Sequence, residues 1–188
     1  MDESQRLASL VNELLDFSKL QAGIVVMNCQ PFCLTASIRQ IVDRNGAMVS
    51  RDGYTIRYEA AGEDWVLADE ARIQQVVYNL MNNALTYTGE DRTVRILQRR
   101  MPEGRVRVEV RDSGRGIPPE ELPLIWNRYY RAKENHKRAI QGSGLGLSIV
   151  HSILENHGVP YGVTSQVGEG TCFWFELETA EAPRKERD

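Results

Sequence analysis

The sequence has little of what disulfide-stapled, membrane-spanning or strongly basic proteins require. Its three cysteines, Cys29, Cys33 and Cys172, fit a reduced compartment. Cys29 and Cys33 resemble half of a metal site, but no second Cys/His pair has suitable spacing, which favours structural roles. No apolar run approaches the roughly 18 residues of a membrane span, and the first residues do not form a secretion signal. The net charge of −3 does not favour general nucleic-acid binding.

The composition is that of an ordinary globular protein, with 41% hydrophobic and 26% charged residues. The chain is long enough for one domain and an appendage. Residues 2–22 predict an amphipathic helix that Gly23 ends and that needs a partner to bury its apolar stripe. The pattern further predicts helices at 35–49, 69–88 and 145–157, strands at 24–28, 53–60, 65–67, 93–100, 105–111, 160–167 and 171–178, and a charged, disordered tail at 179–188.

The helix at 69–88 carries a polar stripe opposite an apolar face. At 100° per residue, the stripe collects Arg72, Gln75, Asn79, Asn83 and Thr86, and the apolar face collects Ile73, Val77, Leu80 and Ala84. Lys and Glu are better helix formers on a solvated surface, so the paired asparagines are unusual there. Their amide oxygens can bind Mg²⁺ without adding charge. A polar outer face is the alternative interpretation.

Two glycine-rich segments form a second pattern. Residues 112–117 read Asp-Ser-Gly-Arg-Gly-Ile, and residues 142–147 read Gly-Ser-Gly-Leu-Gly-Leu. Asp112 follows a strand, where a carboxylate can accept a hydrogen bond from an exocyclic amine such as that of adenine; a turn-forming Asp is the alternative. The second segment opens a helix, where the dipole, backbone N–H groups and the Ser143 hydroxyl favour phosphate; an ordinary helix cap is the alternative.

The segment between the two glycine-rich stretches alternates aromatic and cationic residues over 125–133 and adds His-Lys-Arg at 136–138. Mobile cations above a phosphate site would neutralise charge during transfer. A solvated basic loop is the alternative. Together, the three segments suggest a nucleotide held under a movable lid.

In this order, five segments resemble the conserved boxes of the catalytic and ATP-binding domain of sensor histidine kinases. They lie at 69–88, 112–117, 125–131, 142–150 and 168–173, and the resemblance covers roughly residues 30–178. It implies an α/β (α+β) two-layer sandwich of the Bergerat type, with a mixed, largely antiparallel sheet covered on one face by helices. Residues 24–178 would form this domain, and residues 179–188 its tail.

The resemblance also implies ATP and Mg²⁺ as cofactors. Asn83 would bind Mg²⁺ with help from Asn79, and Asp112 would bind the adenine amino group. The other implied nucleotide contacts are Tyr87, Gly114, Gly116, Ile117 and Thr171 near the base, Tyr130 and Arg131 at the ribose and phosphates, and Gly142, Ser143, Gly144, Leu145, Gly146 and Leu147 around the phosphates.

Residues 1–23 resemble the C-terminal part of the second helix of the dimerisation and phosphoacceptor domain. None of the three histidines, His136, His151 and His157, lies in a phosphoacceptor box. We therefore expect this chain to bind Mg–ATP without phosphorylating itself. Its partners would be the phosphoacceptor domain, a response regulator receiver domain and a second copy of the parent, with this domain on the cytoplasmic side of a membrane-anchored parent.

Three positions depart from the family pattern. Thr86 replaces a lysine that is frequent in the family and contacts phosphate; Lys133, Lys137 or Arg138 would have to supply that contact. Asn127 stands where an acidic residue is usual, and Gln141 stands where a glycine is usual.

Three other functions are alternatives to the one that this resemblance implies. Hydrolytic ATPases of the gyrase, chaperone or mismatch-repair type usually have Glu where Asn79 stands. An anti-sigma serine kinase fits the helix before Gly23 poorly. A regulatory nucleotide-binding module without catalysis is favoured by Thr86 and disfavoured by the glycine-rich segments.

Overall fold

A five-stranded mixed sheet organises the part of the chain that the computed structural model describes, which is Ser18, residues 26–127 and residues 144–183. The elements are, in chain order, β1 (Gln30–Cys33), α1 (Leu34–Arg51), β2 (Thr55–Ala60), β3 (Trp65–Ala68), α2 (Glu70–Tyr87), β4 (Thr93–Met101), β5 (Arg105–Asp112), α3 (Gly146–His157), β6 (Tyr161–Gln166) and β7 (Gly170–Glu178). Over these residues, no helix is long and apolar enough to cross a membrane.

The main sheet has the strand order β2-β4-β5-β7-β6. β2 pairs with β4 in parallel, and the other three pairings are antiparallel. This arrangement confirms the predicted mixed, largely antiparallel sheet. A second sheet pairs β1 with β3, and it is joined to the end of β7 because Val66 bridges Thr179 and the Ala180 N–H donates to Trp65 O.

The core lies between the helices and one face of the main sheet. Inward side chains of the three central strands are almost fully buried: Val94, Ile96, Val106, Val108, Val110, Phe173, Phe175 and Leu177. The predicted apolar face of α2, formed by Ile73, Val77, Leu80 and Ala84, is buried against them. Burial of each large side chain contributes about 1.5–3 kcal/mol, so this face fixes α2 on the sheet.

Two predicted boundaries are wrong. Residues 26–28 do not form a strand and Val26 is 90% exposed; the strand is the later β1. The β-branched residues at 24–28 favoured a strand prediction there. β1 was missed because it is a short edge strand that contains Pro31 and shows no clear alternation of polar and apolar residues. The fold also extends beyond residue 178, through Thr179 and Ala180. Apart from helical Ser18, the helix predicted at 2–22 lies outside the described residues.

A buried polar network connects α1 to the main sheet. Tyr58 Oη donates to Gln98 Oε1 at 2.6 Å, and Gln98 Nε2 donates to Thr35 Oγ1 at 2.7 Å and to Asp64 Oδ2 at 2.6 Å. The Arg100 guanidinium pairs with the other Asp64 oxygen. Because each buried group has a partner, the network costs little desolvation energy and fixes where α1 begins.

Tyr58→Phe should lower the free energy of unfolding by about 1 kcal/mol, because Gln98 Oε1 loses its donor while it stays buried. Burial raises the pKa of Tyr58 from 10.0 to about 12. The phenol is therefore protonated in the folded protein, and its contribution is complete below pH 10 and lost as the pH rises towards 12.

Urea unfolding measures the effect, with Tyr78→Phe as the matched control, since Tyr78 is 45% exposed on α2. A loss at Tyr58 no larger than the loss at Tyr78 would contradict a structural role for the network.

Candidate functional site

Asp112 lies at the end of β5, opposite Thr171 of β7 in the sheet register. Its Oδ1 accepts the Gly114 N–H at 2.9 Å, so the carboxylate is held in a fixed orientation. Desolvation by burial raises the pKa of Asp112 above the usual aspartate value, although hydrogen bonds from the backbone of Gly114 and Thr171 oppose the rise. A desolvated carboxylate with remaining acceptor capacity suits a neutral N–H donor such as an amine.

The two glycines after Asp112 allow backbone segments to meet without side chains between them. A Cβ on Gly114 would collide with the Tyr87 carbonyl at the end of α2. A Cβ on Gly116, whose φ is +72°, would collide with the Gln166 carbonyl at the end of β6. Glycine is therefore required at both positions, and the walls around Asp112 are largely backbone.

Ser165 joins the two sides of this region, and the sequence did not single it out. Its Oγ accepts the Ile117 N–H at 2.8 Å and donates to Gly170 O at 2.9 Å. It also lies 3.0 Å from Thr171 Oγ1. Ser165 lies opposite Thr171 in the hairpin of β6 and β7, and the sequence could have indicated its role only through that pairing. The structure thus brings Asp112, Ile117 and Thr171 together.

Asp91 and Ser113 form a second pair that the sequence did not indicate. The Ser113 hydroxyl donates to the Asp91 carboxylate, lies 3.2 Å from Thr88 Oγ1 and accepts the Gly89 N–H. The Ser113 hydrogen bond is the main reason that the pKa of Asp91 is lowered. These contacts attach the loop after β5 to the end of α2, next to Tyr87.

Helix α2 begins directly after Asp69, close to the predicted start, and the Asp69 side chain caps it. Asp69 Oδ1 accepts the Arg72 N–H at 3.2 Å, and Oδ2 accepts the Asn28 N–H at 3.1 Å. The Asp69 N–H donates to His157 Nε2 at the end of α3, at 3.1 Å. The start of α2 is therefore fixed to both α3 and the segment before β1.

Asn79 and Asn83 lie one turn apart on α2, and both are half-buried. Asn79 Nδ2 is buried without a hydrogen-bond partner among the described residues. Such a donor costs free energy, so it calls for a partner that binds there. Rotation about χ2 exchanges Nδ2 with Oδ1, which lets the side chain offer a donor to phosphate or an acceptor to a cation. With a rise of 1.5 Å per residue, Asn83 and Asn79 lie about 6 and 12 Å along the axis from Tyr87.

The amide pair fits Mg²⁺ as a neutral oxygen donor set. In the ranges 26–127 and 144–183, no group of three His, Cys, Asp or Glu side chains could hold a metal. Mg²⁺ commonly takes one or two protein ligands and completes its coordination with waters and substrate phosphates. Thr86 does not take over the phosphate contact of the family's frequent lysine. Its hydroxyl donates instead to Asn82 O of its own helix, at 2.8 Å.

The second glycine-rich segment leads into α3. Leu145 is the N-cap residue and its side chain is buried, so it offers only backbone to a ligand. A Cβ at Gly146 would meet nothing within 4 Å, so packing does not require glycine there. Space at a helix N-terminus is what a phosphate needs. Gly144 and Leu147 are half-buried beside it.

The start of the predicted lid packs on the core. Ile125 is buried, and the Trp126 ring lies 5.4 Å from Tyr161 and 5.7 Å from Phe173, edge to face. It also contacts His151, with ring centroids 5.9 Å apart. Trp126 is therefore an anchor for the segment. The predicted contacts Tyr130, Arg131, Lys133, Gly142 and Ser143 lie outside the described residues.

Known proteins resemble this chain over most of its length. The family described as histidine kinase-, DNA gyrase B-, and HSP90-like ATPase matches residues 68–181. Signal transduction histidine-protein kinase BarA of Escherichia coli (strain K12) is 31% identical over 180 residues, which cover 93% of this chain and 20% of BarA. The curated relatives are longer proteins: the chain spans 20% of BarA and 48% of the sensor-like histidine kinase SenX3 of Mycolicibacterium smegmatis.

Solved structures share the fold. Full-length ShkA in complex with AMPPNP matches with a TM-score of 0.79 and 30% identity, over 96% of this chain and 38% of ShkA. Histidine kinase ThkA in complex with the response regulator protein TrrA matches with a TM-score of 0.74 and 30% identity, over 95% of this chain and 48% of ThkA. The sheet and helices described above are therefore those of histidine kinases.

Gly114→Ala should destabilise the protein by about 1–3 kcal/mol, because the added methyl group would push the loop after β5 away from Tyr87. Gly46→Ala is the matched control: nothing lies within 4 Å of a Cβ at Gly46 in α1, so alanine there should stabilise by about 0.5–1 kcal/mol. Thermal unfolding separates the two variants. Equal effects of the same sign would refute close backbone packing at Gly114.

Proposed function

The chain belongs to the histidine kinase-, DNA gyrase B-, and HSP90-like ATPase family, and we propose that it is the ATP-binding catalytic domain of a sensor histidine kinase. The observation that carries this proposal is the desolvated Asp112 carboxylate, oriented by Gly114 between walls of backbone. The similarity to ShkA, solved with AMPPNP, and to BarA, a histidine-protein kinase, supports it.

The base of ATP lies at the end of β5 in this proposal. Asp112 accepts a hydrogen bond from the exocyclic amine of adenine. Guanine cannot supply that donor in the same place, so the half-buried carboxylate also selects the base. The half-buried side chains of Tyr87 and Ile117 pack beside the ring. Gly114, Gly116 and Thr171 shape the pocket around it.

The phosphates lie between α2 and the start of α3. Asn83 would hold Mg²⁺ with help from Asn79, and the cation would neutralise charge on the phosphates. Gly144, Leu145, Gly146 and Leu147 supply backbone N–H groups and the positive end of the α3 dipole. From the sequence resemblance, Gly142, Ser143, Tyr130, Arg131 and Lys133 complete the phosphate contacts.

The proposed reaction transfers the γ-phosphoryl group to a histidine imidazole of a dimerisation and phosphoacceptor domain, and from there to an aspartate of a response regulator. This chain positions ATP and neutralises charge, and we assign it no general base. ThkA, solved with TrrA, supports a response regulator as the partner. The role implies a homodimeric, membrane-anchored parent with this domain in the cytoplasm.

Asn83→Ala should weaken ADP binding about tenfold or more when Mg²⁺ is present, because an oxygen ligand of the cation is lost. The loss should nearly vanish in EDTA. Titration calorimetry measures both affinities, and Asn82→Ala, which lies off the stripe, is the matched control. Equal losses in the Asn82 and Asn83 variants would contradict the assignment of the metal ligand.

Asp112→Asn should weaken ADP binding about tenfold or more at neutral pH, since a charged acceptor becomes neutral. In the wild type, the ionised carboxylate binds the amine, so affinity is complete above the Asp112 pKa and falls as the pH drops through it. Because burial raises that pKa, the fall should begin above the usual aspartate range.

The phosphates of ADP titrate equally in both proteins, so the ratio of wild-type to variant affinity isolates the carboxylate. A ratio that stays constant as the solution is acidified would exclude Asp112 as the acceptor.

A further inference from the structure

The face of the main sheet that points away from the helices is rich in arginine. Along β4, β5 and β7, buried apolar residues alternate with residues on this opposite face. Six of its positions form what we call the arginine face: Arg57, Arg95, Arg99, Arg105, Arg107 and Arg111. In the described part of the chain, the helices pack on the other face, where the apolar core lies.

The strand register places arginines directly opposite one another. Arg95 of β4 lies between Arg57 of β2 and Arg111 of β5. Arg99 of β4 lies opposite Arg107 of β5. Like charges in directly opposed positions destabilise a sheet. Ion pairs with carboxylates are therefore needed to offset this repulsion.

Two buried carboxylates neutralise part of the charge. Glu109 accepts from Arg99 and Arg111, and Glu176 accepts from Arg105 and Arg107; each glutamate is only 7% exposed. Four arginines thus share two carboxylates.

The rest of the charge on this face is unbalanced. Within the described residues, Arg57 and Arg95 form no ion pair with an N···O distance up to 4 Å, and the only other acidic side chains on the face are Glu59 and Glu178. The face is therefore net positive on a chain whose net charge is −3.

Trp174 provides an apolar centre beside these charges. It lies opposite Gly162 of β6, and a Cβ at that glycine would collide with its indole. The Arg107 guanidinium stacks 4.1 Å from the Trp174 ring and bonds Glu176 through Nε and Nη2. Both side chains are therefore preorganised, and Arg and Trp are the residues most enriched at protein interfaces.

We propose that the arginine face binds an acidic surface of another protein, one that presents carboxylates around an apolar side chain. Guanidinium groups match carboxylates in paired hydrogen bonds, and the indole gives the apolar contact. A protein is favoured over a nucleic acid or an anionic membrane, because Glu59 and Glu178 lie on the same face and repel a continuous array of phosphates. This surface is independent of the nucleotide site.

The probe is a fluorescent synthetic peptide with repeated Glu-Glu-Leu units, and fluorescence anisotropy measures its binding to the full chain. The double variant Arg57→Gln with Arg95→Gln should bind about tenfold more weakly. Neither arginine forms an ion pair within the described residues. The charge of Arg95 does help to lower the pKa of Asp91, but Asp91 is exposed and keeps its hydrogen bond from Ser113. The variant should therefore melt close to the wild type, because the removed like-charge pairs offset the lost attraction. Arg44→Gln with Arg51→Gln, on exposed positions of α1, makes the same charge change and should bind as wild type.

Equal binding of the peptide by the two double variants would overturn the proposal, because the affinity would then depend on the net charge of the chain alone. Tighter binding of duplex DNA or of phosphatidylserine vesicles, with the same dependence on Arg57 and Arg95, would also overturn it in favour of a phosphate surface. Absence of peptide binding by the wild type at low salt would overturn it as well.

Discussion

The site depends on close contact between backbone segments at the end of β5. Gly114 lies against the Tyr87 carbonyl, and Gly116 lies against the Gln166 carbonyl. These contacts hold the end of α2, the loop after β5 and the hairpin of β6 and β7 in one unit. Asp112 is oriented because that loop cannot move away, and its desolvation follows from the same packing. In the proposed function, base recognition would therefore follow from how the backbone packs.

The two faces of the main sheet have different roles in this account. The helix-covered face gives α2 a rigid support, so the amides of Asn79 and Asn83 are held at a fixed spacing. On the opposite face, Arg57 and Arg95 form no ion pair among the described residues, and we propose that this face binds a partner. The proposed nucleotide site and the proposed protein-binding face share strands but not side chains, so substitutions in one would leave the other intact.

Sequence patterns predicted those parts of the structure that are local and periodic. Helix α2 and the position of Asp112 at the end of a strand follow from spacing and element order. Ser165 and Asp91 could not be predicted, because their roles arise from strand register and from a contact between distant loops. The anchoring of Trp126 is likewise tertiary. The edge strand β1 was missed because four residues with a proline carry almost no period.

The central claim is that Asp112 and the asparagine stripe of α2 hold the two ends of one nucleotide. Titration of ¹⁵N-labelled protein with Mg–ADP, followed by nuclear magnetic resonance, tests it directly. We expect large shifts of the Gly114 and Thr171 backbone amides and of the Asn79 side-chain amide, whose Nδ2 has no hydrogen-bond partner among the described residues. The Arg57 amide on the opposite face should stay unchanged. Binding that leaves the Gly114 and Asn79 signals in place would contradict the claim.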